Sequence, residues 1–152
     1  MVTSEPLSNG DRPHRERPLV FLDTNVIVGY MDGDPSAAQL FSAEAAGRIS
    51  FAVNAIVLQE LLLGYDAARP EFQHIRDNLQ VLPVSLEKAE ALLARVRDLG
   101  IHVGHSNDLL ILSSASECDF LVTSDRRLKN LATAGKPMVV TPEEIVTHLL
   151  AA

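Results

Sequence analysis

Four acidic residues stand where acids are poorly tolerated: Asp23, Glu60, Asp108 and Asp125. Asp23 ends the apolar run Leu19-Val20-Phe21-Leu22, and Asp125 lies just beyond Phe120-Leu121-Val122-Thr123. Glu60 recurs at three- and four-residue steps with Val53, Ile56, Val57, Leu61 and Gly64, a core-facing row with little access to free water. Asp108 shares a stripe with Leu109, Ile111, Leu112 and Ala115. No Lys or Arg lies within one helical turn of Glu60 or Asp108. Carboxylates so placed must be protonated, paired with a base or bound to a metal. If the four converge, like charges raise one another's pKa unless a cation intervenes. Hard oxygen ligands, with no Cys and no His at metal spacing, favour Mg2+ or Mn2+ over Zn2+. A magnesium ion held this way, with waters kept in its shell, is suited to activating water against a phosphodiester. For that chemistry Glu60 and Asp108 must lie near Asp23, with no arginine of the chain lodged between them.

The elements that must bring these acids together alternate in type. Leu19 to Leu22 is a continuous apolar run, as in a parallel strand buried on both faces. Asp34-Pro35 opens a helix expected to run to about Gly47, and Ile49 to Val53 reads as a second strand. Asn54 caps a helix over Ala55 to Ala68, and Pro70 to Leu79 allows another. Val81 to Val84, interrupted by Pro83, fits an edge strand. Ser85 caps a helix through Leu99 that Gly100 stops, and Ser106 caps one through about Cys118. Phe120 to Thr123 and Met138 to Val140 are further strands, and Thr141-Pro142-Glu143-Glu144 is a capping box. Alternation of this kind calls for an α/β fold with a mainly parallel sheet. In such sheets ligands gather outside the carboxyl ends of the strands, where Asp23 and Asp125 fall.

The chain has 152 residues, 47% hydrophobic and 22% charged, which suits one globular domain and excludes a disordered chain. No apolar stretch approaches the ~20 residues of a membrane span. Thirteen basic against twenty acidic residues give a formal charge of −7, a field that repels phosphate backbones and argues against a passive nucleic-acid coat. Contact with nucleic acid must come from a local basic patch or from bound cations. Cys118 is the only cysteine, which excludes an intrachain disulfide and a thiolate zinc site, and a reducing, cytoplasmic setting is expected. Met1 to Arg17, with three bases and three acids, reads as a flexible tail ahead of a domain over residues 18–152, and its lack of an apolar run does not fit a secretory signal.

At the four acids a resemblance emerges. Leu22-Asp23-Thr24-Asn25-Val26, the mid-helix Gln59-Glu60-Leu61, Asn107-Asp108-Leu109-Leu110-Ile111 and Val122-Thr123-Ser124-Asp125 resemble the ordered acidic motifs of the PIN domain, best those of small VapC-type toxins. The similarity covers about Leu19 to Leu150. It implies a three-layer α/β/α fold with a mainly parallel central sheet of four to five strands, and a Mg2+- or Mn2+-dependent endoribonuclease. Asp23, Glu60, Asp108 and Asp125 would be its metal-binding and catalytic acids, acting by in-line attack of a metal-activated water without a covalent protein intermediate. Thr24 and Asn25 match polar positions beside the first acid, and Ser124 a small polar position beside the last. All three are read as orienting neighbours by hydrogen bonds. The resemblance further implies an RNA substrate, a cognate antitoxin that covers the site with a basic side chain and, together with the apolar surplus of Ala55 to Tyr65, a homodimer. One departure is the stretch Ser113-Ser114-Ala115-Ser116, with serines where such helices are often alanine-rich.

Arg126, Arg127 and Lys129 follow the last acid and are candidates to hold RNA phosphates, with a solvated helix face as the alternative. His102 and His105, flanked by glycines, do not suit a paired metal site. Phe41, Phe51, Tyr65 and Phe72 read as core or interface residues. An aspartate-nucleophile phosphatase would want a second Asp at position 25, which is Asn, and a receiver domain a Lys after its last strand, whereas Lys136 precedes it. The serious alternative is a non-catalytic PIN-like module that binds RNA or protein. Clustered carboxylates also predict that neutralising one acid leaves metal-free stability unchanged or raised.

Overall fold

The structure is a computed structural model, and it describes residues 17–42, 47–66, 68–100, 106–131 and 137–150. The tail up to residue 16, His102, His105 and Lys136 lie outside the described residues. Leu19–Leu22 forms β1, with Val20, Phe21 and Leu22 fully buried, as a strand covered on both faces requires. β1 is the centre of a five-stranded sheet in the order β3-β2-β1-β4-β5, where β2 is Ser50–Asn54, β3 Leu79–Leu82, β4 Phe120–Val122 and β5 Met138–Val140. Every neighbouring pair is parallel, so the α/β architecture expected from the alternation is the one adopted. Val20 stands opposite both Phe51 and Phe120, which fixes the register of the three central strands.

Parallel neighbours need crossovers, and eight helices occupy the described connections and the C-terminal segment. These are α1 (Thr24–Met31), α2 (Pro35–Leu40), α3 (Ala55–Gly64), α4 (Pro70–Asp77), α5 (Leu86–Asp98), α6 (Ser106–Ser114), α7 (Arg126–Leu131) and α8 (Pro142–Leu150). The chain steps outward from β1 through β2 to β3, then returns to β4 and β5 on the other side of β1. Right-handed crossovers put the connections of these two halves on opposite faces, which makes three layers. The reversal of direction lies between β1 and β4, the place where a parallel sheet opens a crevice at its carboxyl edge.

Local chemistry sets most element ends. Asp34 Oδ1 accepts from the Ser36 N–H at 3.2 Å, Asn54 Oδ1 from Val57 at 3.1 Å and Ser85 Oγ from Lys88 at 3.2 Å. Thr141 and Glu144 form the reciprocal capping box, each side chain accepting the other's N–H at 3.2 Å. Gly100, at φ 73°, terminates the turn after α5 in the left-handed region.

Where the ends differ from expectation, tertiary contacts account for it. α2 stops at Leu40, short of Gly47, because Phe41 turns inward against Tyr30 and Phe51, with ring centroids 4.7 and 5.3 Å away. α3 stops at Gly64, short of Ala68: Tyr65 is extended, its hydroxyl donates to Asp32 at 3.0 Å and Arg69 lies over its ring. β3 is Leu79–Leu82, two residues earlier than expected, since Pro83 has no N–H for the ladder with β2. α6 gives way at Ser114 to a 3-10 turn over Ala115–Glu117. Phe41, Phe51 and Phe72 are core residues, as expected, in a cluster with Phe21, Leu22, Ile27, Leu61 and Leu121. Among the described residues no helix is long and apolar enough to cross a membrane.

Candidate functional site

Asp23 follows β1 directly, and its own N–H continues the ladder to Val122 O at 3.0 Å. Its backbone is extended and its side chain caps α1, Oδ1 accepting from the Thr24 N–H at 2.8 Å. Helix capping and a place at the crevice are therefore the same geometry. Oδ2 accepts from Thr123 Oγ1 at 2.7 Å and Asn25 Nδ2 at 3.1 Å. The side chain is buried. Burial pushes its carboxyl above the ordinary carboxylate value; the Thr123 and Thr24 bonds hold it back, and the charges of Asp125 and Asp108 add to the rise.

Thr123, which the sequence marks only as the end of a strand, is the connecting residue. Its hydroxyl donates to Asp23 and accepts from the Asp125 N–H at 3.0 Å and from Asn25 Nδ2 at 3.3 Å. One buried oxygen thus ties both strand-end acids together. The available signal was a hydroxyl at the last position of an apolar strand, two residues before an acid. Asn25 acts as the expected orienting group: its Nδ2 serves Asp23, and its Oδ1 accepts from the Ser124 N–H at 3.1 Å. Ser124 contributes through that backbone N–H, while the residue itself is exposed, so its expected orienting side chain gives way to Thr123.

The other two acids arrive on helices. On α3, Val57 and Leu61 are buried, which turns the next position round, Glu60, toward the crevice. Glu60 is only partly buried, a correction to its expected place in the core row, because Val53, Val57 and Leu61 fill the centre of that row and Glu60, like Ile56, lies at its edge. Its Oε1 is nevertheless buried and, among the described residues, without a hydrogen-bond partner, as is the neighbouring Thr24 Oγ1. Burial raises the Glu60 carboxyl, the Asp23 charge raises it further, Thr24 offsets part of this, and Asp108 adds a smaller rise. Thr24 therefore sits beside Glu60 at close range without the geometry of a hydrogen bond. Asp108, in the first turn of α6, is buried alongside Ile111 and Leu112, as its stripe predicted.

Asn54 joins the two acid-bearing helices. While Oδ1 caps α3, Nδ2 donates to Leu110 O at 3.3 Å and Ser114 Oγ at 3.0 Å on α6. Ser114 Oγ in turn donates to Pro83 O at 3.0 Å. The serine-rich stretch that departs from the family pattern thus has a structural role: Ser114 links α6 to both Asn54 and the chain after β3. The sequence marked Asn54 as a cap but gave no sign of this second set of partners.

The four acids consequently share one field. Asp23 feels Asp125 and Asp108, and Glu60 feels Asp23 and Asp108. Among the described residues no three of them close into a ready-made metal cage. Mutual repulsion opposes such closure, and Mg2+ needs only one or two carboxylates while keeping several waters. An all-oxygen donor set with a buried, unpartnered Oε1 fits a small hard cation. The basic residues divide. Arg127 Nη2 lies 2.7 Å from Asp125 Oδ2, whereas Arg126 and Lys129 line a cleft of about 350 Å³ that also includes Thr123, Ser124 and Asp125. Among the described residues no arginine bonds Asp23 or Glu60; Arg127 reaches the crevice from its rim, with 55% of its side chain exposed.

No curated protein matches the chain. Among solved structures it is similar to VapBC2 from Rickettsia felis bound to a promoter DNA fragment, at 22% identity and TM-score 0.61 over 81% of this chain and 98% of that one. It is also similar to a toxin-antitoxin complex from Klebsiella pneumoniae, at 25% identity and TM-score 0.56 over 81% and 97%. VapBC-1 from nontypeable Haemophilus influenzae aligns at 20% identity and TM-score 0.57 over 82% and 98%. The sequence pattern of the PIN domain matches residues 20–134, which span all four acids and every strand but β5. The chain belongs to the PIN domain family.

Proposed function

We propose that this protein is a divalent-metal-dependent endoribonuclease and the toxin of a toxin–antitoxin pair, acting on RNA in the cytoplasm. The observation that carries the nuclease reading is the buried, unpartnered Oε1 of Glu60 in the shared field of Asp23 and Asp108. Such an atom on an ionised carboxylate is costly unless a proton or a cation meets it, and at the carboxyl edge of the sheet, among three other acids, a cation meets all of them at once. Asp23, Glu60, Asp108 and Asp125 would hold Mg2+ or Mn2+, which when bound neutralises the cluster and lowers the pKa of water. Thr123 and Asn25 aim the Asp23 carboxylate by donating to it, and the Thr123 bond offsets part of the rise in its pKa. Arg126 and Lys129 attract RNA phosphates to the cleft beside Asp125, offsetting a chain whose overall charge of −7 repels them. Among the described residues, the groups that line the crevice suit hydrolysis without a protein-bound intermediate. Likeness to the Klebsiella toxin-antitoxin complex supports an antitoxin partner. Leu62 and Leu63, 53% and 83% exposed on α3, support a homodimer through that helix.

The test is a labelled RNA incubated with purified, antitoxin-free protein in Mg2+ or Mn2+, then with EDTA. Cleavage should require the metal, and Asp23→Asn and Asp108→Asn should each lower it on the order of a hundred- to a thousand-fold. Cleavage that survives in both folded variants overturns the assignment of the site. A folded wild type that binds RNA but never cleaves it favours the binding module.

A further inference from the structure

Arg127 looks in sequence like one of three interchangeable cations, yet its contacts set it apart. Its backbone N–H donates to Asp125 Oδ1 at 2.9 Å. Its Nε lies 3.1 Å from Oδ1 and 3.2 Å from Oδ2, and its Nη2 2.7 Å from Oδ2. Both carboxylate oxygens are therefore engaged by one guanidinium in the fork geometry that makes such pairs strong. The acid is 21% exposed and the arginine 55%, so Arg127 covers Asp125 from the solvent side. The turn beneath is fixed by the Asp125 N–H on Thr123 Oγ1, the same oxygen that holds Asp23. The guanidinium also lies in the fields of Asp108 and Asp23.

A carboxylate has about four lone-pair positions, and three N–H donors of Arg127 already share those of Asp125, so a cation that binds its oxygens competes with donors in place. Resting on the metal-site reading above, we propose that Arg127 is a built-in counter-ion of Asp125. It holds that acid while no divalent cation is bound and competes with the cation for the same oxygens. The site carries its own brake on metal loading, and a loaded site releases a guanidinium at the rim of the cleft where RNA phosphates would enter.

The experiment is calorimetric titration of Mn2+ into the metal-free, full-length protein. Arg127→Gln should bind Mn2+ roughly five- to tenfold more tightly than wild type, a modest site–site coupling. Arg127→Lys, which keeps the charge but loses the fork, should fall between them. Arg126→Gln removes the same charge without the contact and should shift affinity less. In an Asp125→Asn background the effect of Arg127→Gln should vanish, as a direct coupling requires. Urea unfolding of each variant confirms that it is folded. Equal or weaker Mn2+ binding by folded Arg127→Gln overturns the counter-ion, as does an effect that persists without the Asp125 carboxylate. A folded wild type that takes up no Mn2+ overturns the metal reading itself, a result separable from any difference between variants.

Discussion

The strand-end acids and the helix-borne acids reach the same crevice by different physical means. Asp23 and Asp125 sit on turns after β1 and β4, held by a polar network in which Thr123 Oγ1 touches both. Glu60 is placed by the packing of Val57 and Leu61, and its buried Oε1 has no partner among the described residues. Asp108 is placed by the packing of Ile111 and Leu112 and by the Asn54 link from α3 to α6. Asp23 is thus organised by hydrogen bonds that its carboxylate makes, and Glu60 by contacts made around it. Removing the carboxylate charge should therefore have opposite consequences at Asp23 and at Glu60.

Asn54→Ala should give the largest loss of stability, about 2–3 kcal/mol by urea unfolding, because it removes a helix cap and leaves buried partners on α3 and α6 unsatisfied. An unchanged unfolding midpoint would show that packing alone joins the helices. Asp23→Asn should cost about 1 kcal/mol, since its new amide faces the donors Thr123 and Asn25. This replaces the uniform expectation that any neutralised acid is tolerated: it holds for an acid whose buried oxygen is unpartnered and fails for one that accepts three hydrogen bonds. Glu60→Gln should leave metal-free stability unchanged or raise it by up to about 1 kcal/mol. A large loss there would erase the contrast.

Acidification sharpens the same difference. Asp23 and Glu60 both titrate above their ordinary values when folded. Between the unfolded and folded pKa the native chain binds more protons, so stability falls as pH rises through that window. Metal-free wild type should therefore gain stability relative to Glu60→Gln as pH falls from neutral through the raised Glu60 pKa toward the ordinary carboxylate range. A gap that moves the other way would place a favourable partner on Glu60. The smallest effect is expected for Lys129→Ala, which should reduce the slope of log RNA affinity against log salt by about one and leave turnover by bound enzyme unchanged.

Much of this arrangement is legible in the sequence. The Leu19 to Leu22 run gave β1, Asn54 and Ser85 gave helix starts, and Thr141 with Glu144 gave a capping box, because each depends on residues within a few positions. Element ends at Leu40 and Gly64 were not legible, since Phe41 and Tyr65 turn toward partners far along the chain. The four acids could be singled out because an acid on an apolar stripe or at the end of an apolar run is costly wherever the chain folds. Thr123 could not, because a hydroxyl carries no such penalty and its importance lies in what it touches 100 residues away.

By itself the sequence determined which residues are acids on apolar faces, where the strands and caps begin, and the PIN-like order of the motifs. Only the tertiary structure decided that Thr123 joins two acids, that Asn54 and Ser114 join two helices, and that Arg127 belongs to Asp125 rather than to Arg126 and Lys129. The division has a physical basis. Helix periodicity, capping and burial cost are local properties of the chain, whereas hydrogen-bond and ion partners are selected by the parallel sheet that brings distant strand ends side by side.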